Sequence, residues 1–279
     1  KMAKKRYIIN ASIVTYHTPV EELQKVVSTL LKSDCVKRIL LIDNSENRNE
    51  QYGTIEGAEW VWNGRNIGYG AAHNIAIRET LRSGVEYHLV INSDIEFNPV
   101  ILSELAEYME AHKDIAQIMP KVLSPDGSNQ HLAKLLPTPY DLIARRFLPK
   151  TLTRGRTQHF ELHQLSDDGI YDIPYLSGCF MLLRADALKK VGIFDERYFM
   201  YPEDIDLTRR LHKYFRTIYY PKTSIIHNHR RASYHNIRLL KIHIVNMIKY
   251  FNKWGWIIDR ERQRVNKSVM EEIEKSKKI

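Results

Sequence analysis

Four short apolar segments in the first hundred residues each end in a polar cluster, and helical segments separate them. Residues 7–16 (YIINASIVTY) are apolar and β-branched, and Thr18-Pro19 followed by Glu21-Glu22 marks a helix start. Residues 36–42 run into Asp43-Asn44-Ser45, residues 59–62 into Asn63-Gly64, and residues 87–91 into Asn92-Ser93-Asp94. Helical patterns fill 22–31 and 71–81 between them. This alternation predicts an α/β fold built on a wound, mostly parallel sheet with helices on both faces. Such sheets bind ligands beyond the carboxyl ends of their strands, which is where these polar clusters fall.

The pattern continues with a helix over 100–112 and a strand over 115–119, then loses periodicity from 120 to 169, a stretch expected to be loop-rich. Strands are expected again near 171–176, 179–184 and 224–226, with helices over 185–191, after Pro202, and over 239–256. In that last helix Leu240, Ile244, Met247, Ile248 and Phe251 share one face. With 279 residues, 43% of them hydrophobic, the chain can bury one large core. Cys35 and Cys179 lie far apart and outside any Cys-x-x-Cys pair, which argues for reduced structural thiols rather than a disulfide framework or a zinc cluster. No run of about 18 uncharged apolar residues appears, and the first residues lack the apolar core of a secretory signal, so a cytoplasmic location is expected.

Three acidic or glycine-rich clusters could carry chemistry. Asp94-Ile95-Glu96 places two carboxylates two apart at a strand end, a set of oxygen ligands suited to Mg²⁺ or Mn²⁺, although acidic turns without a metal are common. Asn66-Ile67-Gly68-Tyr69-Gly70, running to Asn74, lets backbone approach a nucleotide closely, yet it is neither a dinucleotide fingerprint nor a P-loop. Tyr201-Pro202-Glu203-Asp204-Ile205-Asp206 puts carboxylates in the first turn of a helix, where they serve either as caps or as a general base. For Asp206, followed by Arg209 and Arg210, pairing is the expected role. His227 or His229 could complete a metal site begun at Asp94, or be structural.

Taken in order, these elements resemble the inverting glycosyltransferase family 2 with its GT-A fold, in particular its rhamnosyltransferase-like members. The resemblance runs from about residue 8 to 253 and includes Val14-Thr15-Tyr16, Ile42-Asp43-Asn44-Ser45, Asn66-x-Gly-x-Gly to Asn74, Asn92-Ser93-Asp94, Ser177-Gly178, Gly192-x-Phe194-Asp195-Glu196, Glu203-Asp204-x-Asp206 and His227. It implies that Asp43, with Thr15 and Tyr16, holds the nucleobase, and that Asn66, Gly68, Asn74 and Ser93 form the nucleotide side. It implies metal binding at Asp94, His227 and Glu96, acceptor binding at Glu203, Ser177 and Gly178, and a catalytic base at Asp204. Two positions depart from the family's pattern: Glu96 replaces the usual second aspartate, and Ser93 stands where a proline is common.

The resemblance further implies a nucleoside-diphosphate sugar donor, dTDP-rhamnose or a UDP-sugar, and a saccharide or lipid-linked acceptor. Residues 1–98 would form the nucleotide-sugar half and 99–230 the acceptor and catalytic half of one domain, with 231–279 a basic amphipathic helical region. From Arg230 onward there are 13 Lys and Arg against 5 Asp and Glu, so most of the net charge of +9 lies there. A basic tail suits an anionic surface, either the inner membrane leaflet or a nucleic acid, while its apolar stripe could equally pack on the body or on a second subunit as a homodimer. A nucleic-acid-binding module would explain the charge alone, since no helix-turn-helix or zinc spacing accompanies it. A nucleotidyltransferase would need a basic triphosphate loop, and residues 15–20 contain no Lys or Arg. A non-catalytic sugar-nucleotide binder is disfavoured by the joint presence of Asp94, Glu203 and Asp204.

Overall fold

A computed structural model describes residues 7–144, 148–228 and 237–276. His229 and the boundary placed between 230 and 231 lie outside these residues. The strands are β1 (Ile9–Thr15), β2 (Val36–Asp43), β3 (Glu59–Trp62), β4 (Tyr87–Ile91), β5 (Ile95–Glu96), β6 (Ile115–Leu123), β7 (Ala133–Lys134), β8 (Tyr171–Asp172), β9 (Tyr175–Leu176), β10 (Phe180–Arg184) and β11 (Arg216–His227). The helices are α1 (Val20–Leu31), α2 (Tyr69–Ser83), α3 (Val100–Ala111), α4 (Lys150–Phe160), α5 (Ala185–Val191), α6 (Glu203–His212), α7 (Ile237–Trp254) and α8 (Arg260–Ser276).

One sheet carries the order β3-β2-β1-β4-β10-β6-β11-β5, with β8 paired to β11. The first four strands are mutually parallel, as the strand–helix alternation requires. β10 enters antiparallel between β4 and β6, so its amino-terminal end meets the same sheet edge as the carboxyl ends of β1, β2 and β4. That reversal brings Ser177 and Gly178, which precede β10, to the ligand edge. β5 pairs antiparallel with β11, setting Ile95 opposite His227 and Glu96 opposite Ile226. These strands are nearly continuous apolar runs because both faces are covered: β4 is buried at every position, and α1 buries Leu23, Val26, Val27 and Leu30 against the sheet.

The described residues between 120 and 169 hold more order than their sequence shows. β6 runs past Pro120 to Leu123, and its pairing with β11 shifts register between Tyr220 and Ser224, next to the partner of that proline. A ladder interrupted there tolerates the missing N–H. α4 follows, with no acidic residue in its first turn and no capping side chain, so the usual start signals are missing. The expected strand over 171–176 is two short strands in different sheets, β8 on β11 and β9 on β7.

α7 lies on the body. Met247, Tyr250 and Phe251 are buried with Tyr198 and Ile205. Ile248, placed on the apolar face by the sequence, is instead 40% exposed, because the helix is rotated to seat Asn246, Met247, Tyr250 and Phe251 against the residues before and within α6. Cys35 and Cys179 are buried free thiols, and burial raises Cys179 to about 12. Among the described residues no helix is long and apolar enough to cross a membrane.

Candidate active site

The carboxyl ends of β1 and β2 build one wall. Asp43 is fully buried: one of its oxygens accepts from the Ser45 backbone N–H at 2.9 Å and the other from the Trp60 indole at 3.4 Å. Thr15 is buried with its Oγ1 unbonded within the protein, and Tyr16 stands 47% exposed beside it. Trp62 is also exposed, and its indole donates to the Ser45 carbonyl at 2.9 Å. An aromatic rim around a buried carboxylate results.

Asn66 anchors the glycine loop by accepting from the Gly68 N–H at 3.0 Å and from the Asn44 amide at 3.3 Å. Gly68 has φ +94°, and a Cβ there would lie 2.5 Å from the Phe199 carbonyl oxygen, so only glycine fits. Asn74, placed on the nucleotide side by resemblance, is fully buried: it donates to the Phe194 carbonyl and the Glu196 carboxylate, both at 2.9 Å, and accepts from the Phe194 N–H at 3.1 Å. Its amide positions the Phe194–Glu196 turn.

Asp94 and His227 meet where β5 joins β11, with His227 Nε2 3.4 Å from Asp94 Oδ1. The Gln130 amide donates to the His227 carbonyl at 2.8 Å, which turns its Oε1 toward the ring Nδ1 at 3.0 Å. In the neutral ring this arrangement assigns the proton to Nδ1 and leaves the Nε2 lone pair facing both the Asp94 carboxylate and the Asn92 amide, whose Nδ2 lies 3.5 Å away. A lone pair and a carboxylate oxygen converging in this way suit a divalent cation, with the second nitrogen held by an outer partner. The residues placed to hold such an ion are one carboxylate and one imidazole, so any further ligands would have to come from a bound substrate and water.

Glu96 does not join them. It pairs with Lys25 at 2.6 Å and accepts from the Asn228 amide at 2.8 Å, and the hydrogen bond from Lys25 lowers its pKa. Asp94 sits in the turn before β5, so the two-residue periodicity of a strand does not place residues 94 and 96 on one face. Among the described residues no group of three or more His, Cys, Asp or Glu converges as a metal site. Ser93 donates to Glu22 of α1 at 2.5 Å.

The opposite wall is the start of α6. Asp204 accepts from the Gly178 N–H at 2.8 Å and from the Ile205 N–H at 2.7 Å. Burial outweighs those bonds and raises its pKa to about 6. Glu203, 4% exposed, is raised well above the ordinary range by burial and then by the charge of Asp204, and its Oε2 has no bonding partner within the protein. The pair thus favours one negative charge and one proton. Gly178 packs against Asp204, since a Cβ there would sit 3.3 Å from Asp204 Cβ and 3.4 Å from a Tyr69 ring carbon. Ser177 accepts from the Cys179 N–H at 3.4 Å beneath the same floor. Asp206 faces away and binds Arg210 at 2.8 Å, as expected for a pairing role.

Tyr69 joins the two walls. Its hydroxyl lies 2.8 Å from both Asn92 Oδ1 and the Gly178 carbonyl, sharing its proton between them. Burial raises its pKa, and Cys179, Glu203, Asp204 and Asp94 each add to that rise. Neither Tyr69 nor Gln130 stands out in the sequence as a site residue.

A family model described as "Glycosyl transferase family 2" matches residues 12–192. The chain belongs to that family. It is 26% identical over 234 residues to an N-acetylglucosaminyl-diphospho-decaprenol L-rhamnosyltransferase of Mycobacterium tuberculosis (strain H37Rv), covering 77% of this chain and 74% of the relative. Rhamnosyltransferase WbbL of Escherichia coli (strain K12) is 24% identical over 264 residues, 91% of this chain and 97% of that one. The fold is similar to GalNAc-T7 solved with UDP, GalNAc and Mn²⁺, with a TM-score of 0.60 at 13% identity. That match covers 81% of this chain and 44% of the larger one. Mannosyltransferase PcManGT of Pyrobaculum calidifontis, solved with GDP-Man and Mn²⁺, gives a TM-score of 0.53 at 12% identity over 88% of this chain and 65% of that one. The central sheet and its helices are those of a GT-A fold.

Proposed function

We propose that this glycosyl transferase family 2 chain moves L-rhamnose from dTDP-β-L-rhamnose to a hydroxyl of a free or lipid-linked saccharide, with inversion, in the synthesis of a surface polysaccharide. The observation that carries the reaction type is Asp204, a buried carboxylate held by two backbone N–H groups at a helix start beside Glu203. Its pKa of about 6 leaves it mostly ionised at neutral pH while keeping it a stronger base than an ordinary aspartate. The choice of rhamnose rests on relatives whose names specify rhamnosyl transfer.

The acceptor oxygen attacks the anomeric carbon as the bond to the diphosphate oxygen breaks, and the electron pair of that bond leaves with dTDP. The acceptor proton passes to a carboxylate oxygen of Asp204. Displacement from the face opposite the leaving group converts a β-donor into an α-linkage. Glu203, carrying the shared proton, donates to an acceptor oxygen, and Ser177 and Gly178 floor the sugar. Thr15, Tyr16 and Asp43 take the base; Asn66, Gly68 and Ser93 shape the diphosphate side, and Asn74 positions it. Asp94 and His227 would hold Mg²⁺ or Mn²⁺, which when bound supplies positive charge against the departing diphosphate.

The test is incubation with dTDP-β-L-rhamnose and a soluble N-acetylglucosaminyl acceptor, with Mn²⁺ or with a chelator. The expected product is an α-rhamnoside formed only with metal, its configuration read from NMR couplings. Turnover with UDP-sugars and none with dTDP-rhamnose would overturn the donor assignment.

A further inference from the structure

The turn between α7 and α8 presents Trp256, Ile257 and Ile258 at 38%, 84% and 79% exposure. Single exposed apolar side chains are ordinary on a protein surface, but a contiguous group is not. This turn is also held rigidly from beneath. Arg262, only 4% exposed, donates to the carbonyls of Ile257 at 3.2 Å, Trp256 at 3.4 Å and Pro137 at 3.3 Å. Asp259, directly after Ile258, makes two 2.8 Å bonds to Arg209 of α6, whose guanidinium lies 4.1 Å from the Trp254 ring centre. The backbone is thus clamped while the isoleucines stay in solvent.

The surroundings are basic. Residues 240–268 contain seven Lys and Arg against two acids; both acids, Asp259 and Glu261, are bound to Arg209, while of the seven cations Lys253 pairs with Asp195 and Asp206 and Arg262 is buried. Arg260, Arg264 and Lys267 are exposed on α8, Lys267 in a solvent-exposed 3.7 Å pair with Glu271. We propose that the Trp256-Ile257-Ile258 turn inserts into the interfacial layer of an anionic phospholipid bilayer, with these cations against the headgroups. A symmetric contact with a second copy would bring the same cations face to face, which disfavours that occupant. Because Arg209 belongs to the helix that begins with Glu203 and Asp204, the anchor holds the candidate base at a fixed orientation to the surface. The inference goes beyond the proposed transfer reaction and does not require it.

The test is co-sedimentation of the full chain with phosphatidylcholine vesicles with and without phosphatidylglycerol. Binding is expected to the anionic vesicles alone and to weaken with salt. Ile257→Ser combined with Ile258→Ser should reduce partitioning by about ten-fold or more, and Arg264→Glu with Lys267→Glu should reduce it too. Brominated lipid should quench the wild type more than Trp256→Phe. Thermal melting of each variant confirms that these exposed changes leave the fold intact. Absence of vesicle binding, binding unaffected by the isoleucine changes, or a dimer that those changes dissociate would overturn the inference. Titration of the same variants with dTDP separates this outcome from the donor assignment, since nucleotide binding should be unchanged in all of them.

Discussion

Asp204 and Glu203 are adjacent carboxylates, both buried at a helix start, and the proposed reaction turns on their protons. With Asp204 raised to about 6, kcat/KM should fall as pH drops through that value, the base being lost on protonation. A pH–rate profile checks this, and Asp204→Asn should lower kcat by about 10²–10⁴ while leaving dTDP binding in place. Glu203 carries a stability signature of opposite use. Its folded pKa lies above the ordinary 4.5, so its contribution is fully present below that value and is lost as pH rises toward the folded pKa. Thermal melts across pH should therefore show wild type losing ground to Glu203→Gln above about 4.5. Strand-end carboxylates such as Asp43 and Asp94 are legible in sequence because a polar cluster ends an apolar run. Tyr69 and Gln130 are not, since each acts through a partner about a hundred residues away, Gly178 for one and His227 for the other.

At the scale of elements, the parallel half of the sheet follows from hydrophobic runs and turn residues, and β1 through β4 lie where the sequence puts them. The pieces that finish the site do not. β5 has two residues and no periodicity to detect, yet its antiparallel pairing with β11 brings Asp94 to His227 and leaves Glu96 with Lys25. The rotation of α7 was likewise unreadable, because its helical pattern admits more than one apolar face and only the partners Tyr198 and Ile205 select one. α6 ties this region together: Arg209 and Asp259 are each 3% exposed in their side chains. Asp259→Ala takes from that buried arginine the carboxylate that makes two 2.8 Å bonds to it and leaves it the partly exposed Glu261, and chemical denaturation should report a loss of about 3–5 kcal/mol. In the glycine loop, Gly68→Ala meets both a positive φ and the Phe199 carbonyl. Weaker nucleotide binding together with a lower Tm is the expected result.

Across the whole molecule, one sheet edge gathers the proposed nucleotide wall at Asp43, the Asp94–His227 pair and the buried Asp204 proposed as base, with Tyr69 between them. The measurement that tests this arrangement most directly is calorimetric titration of the chain with dTDP, with and without Mn²⁺, repeated on Asp94→Ala and His227→Ala. The account predicts metal-dependent binding of dTDP to the wild type that is lost in Asp94→Ala and weakened in His227→Ala. Binding of dTDP that ignores both Mn²⁺ and the Asp94 substitution, or no binding at all, would contradict it.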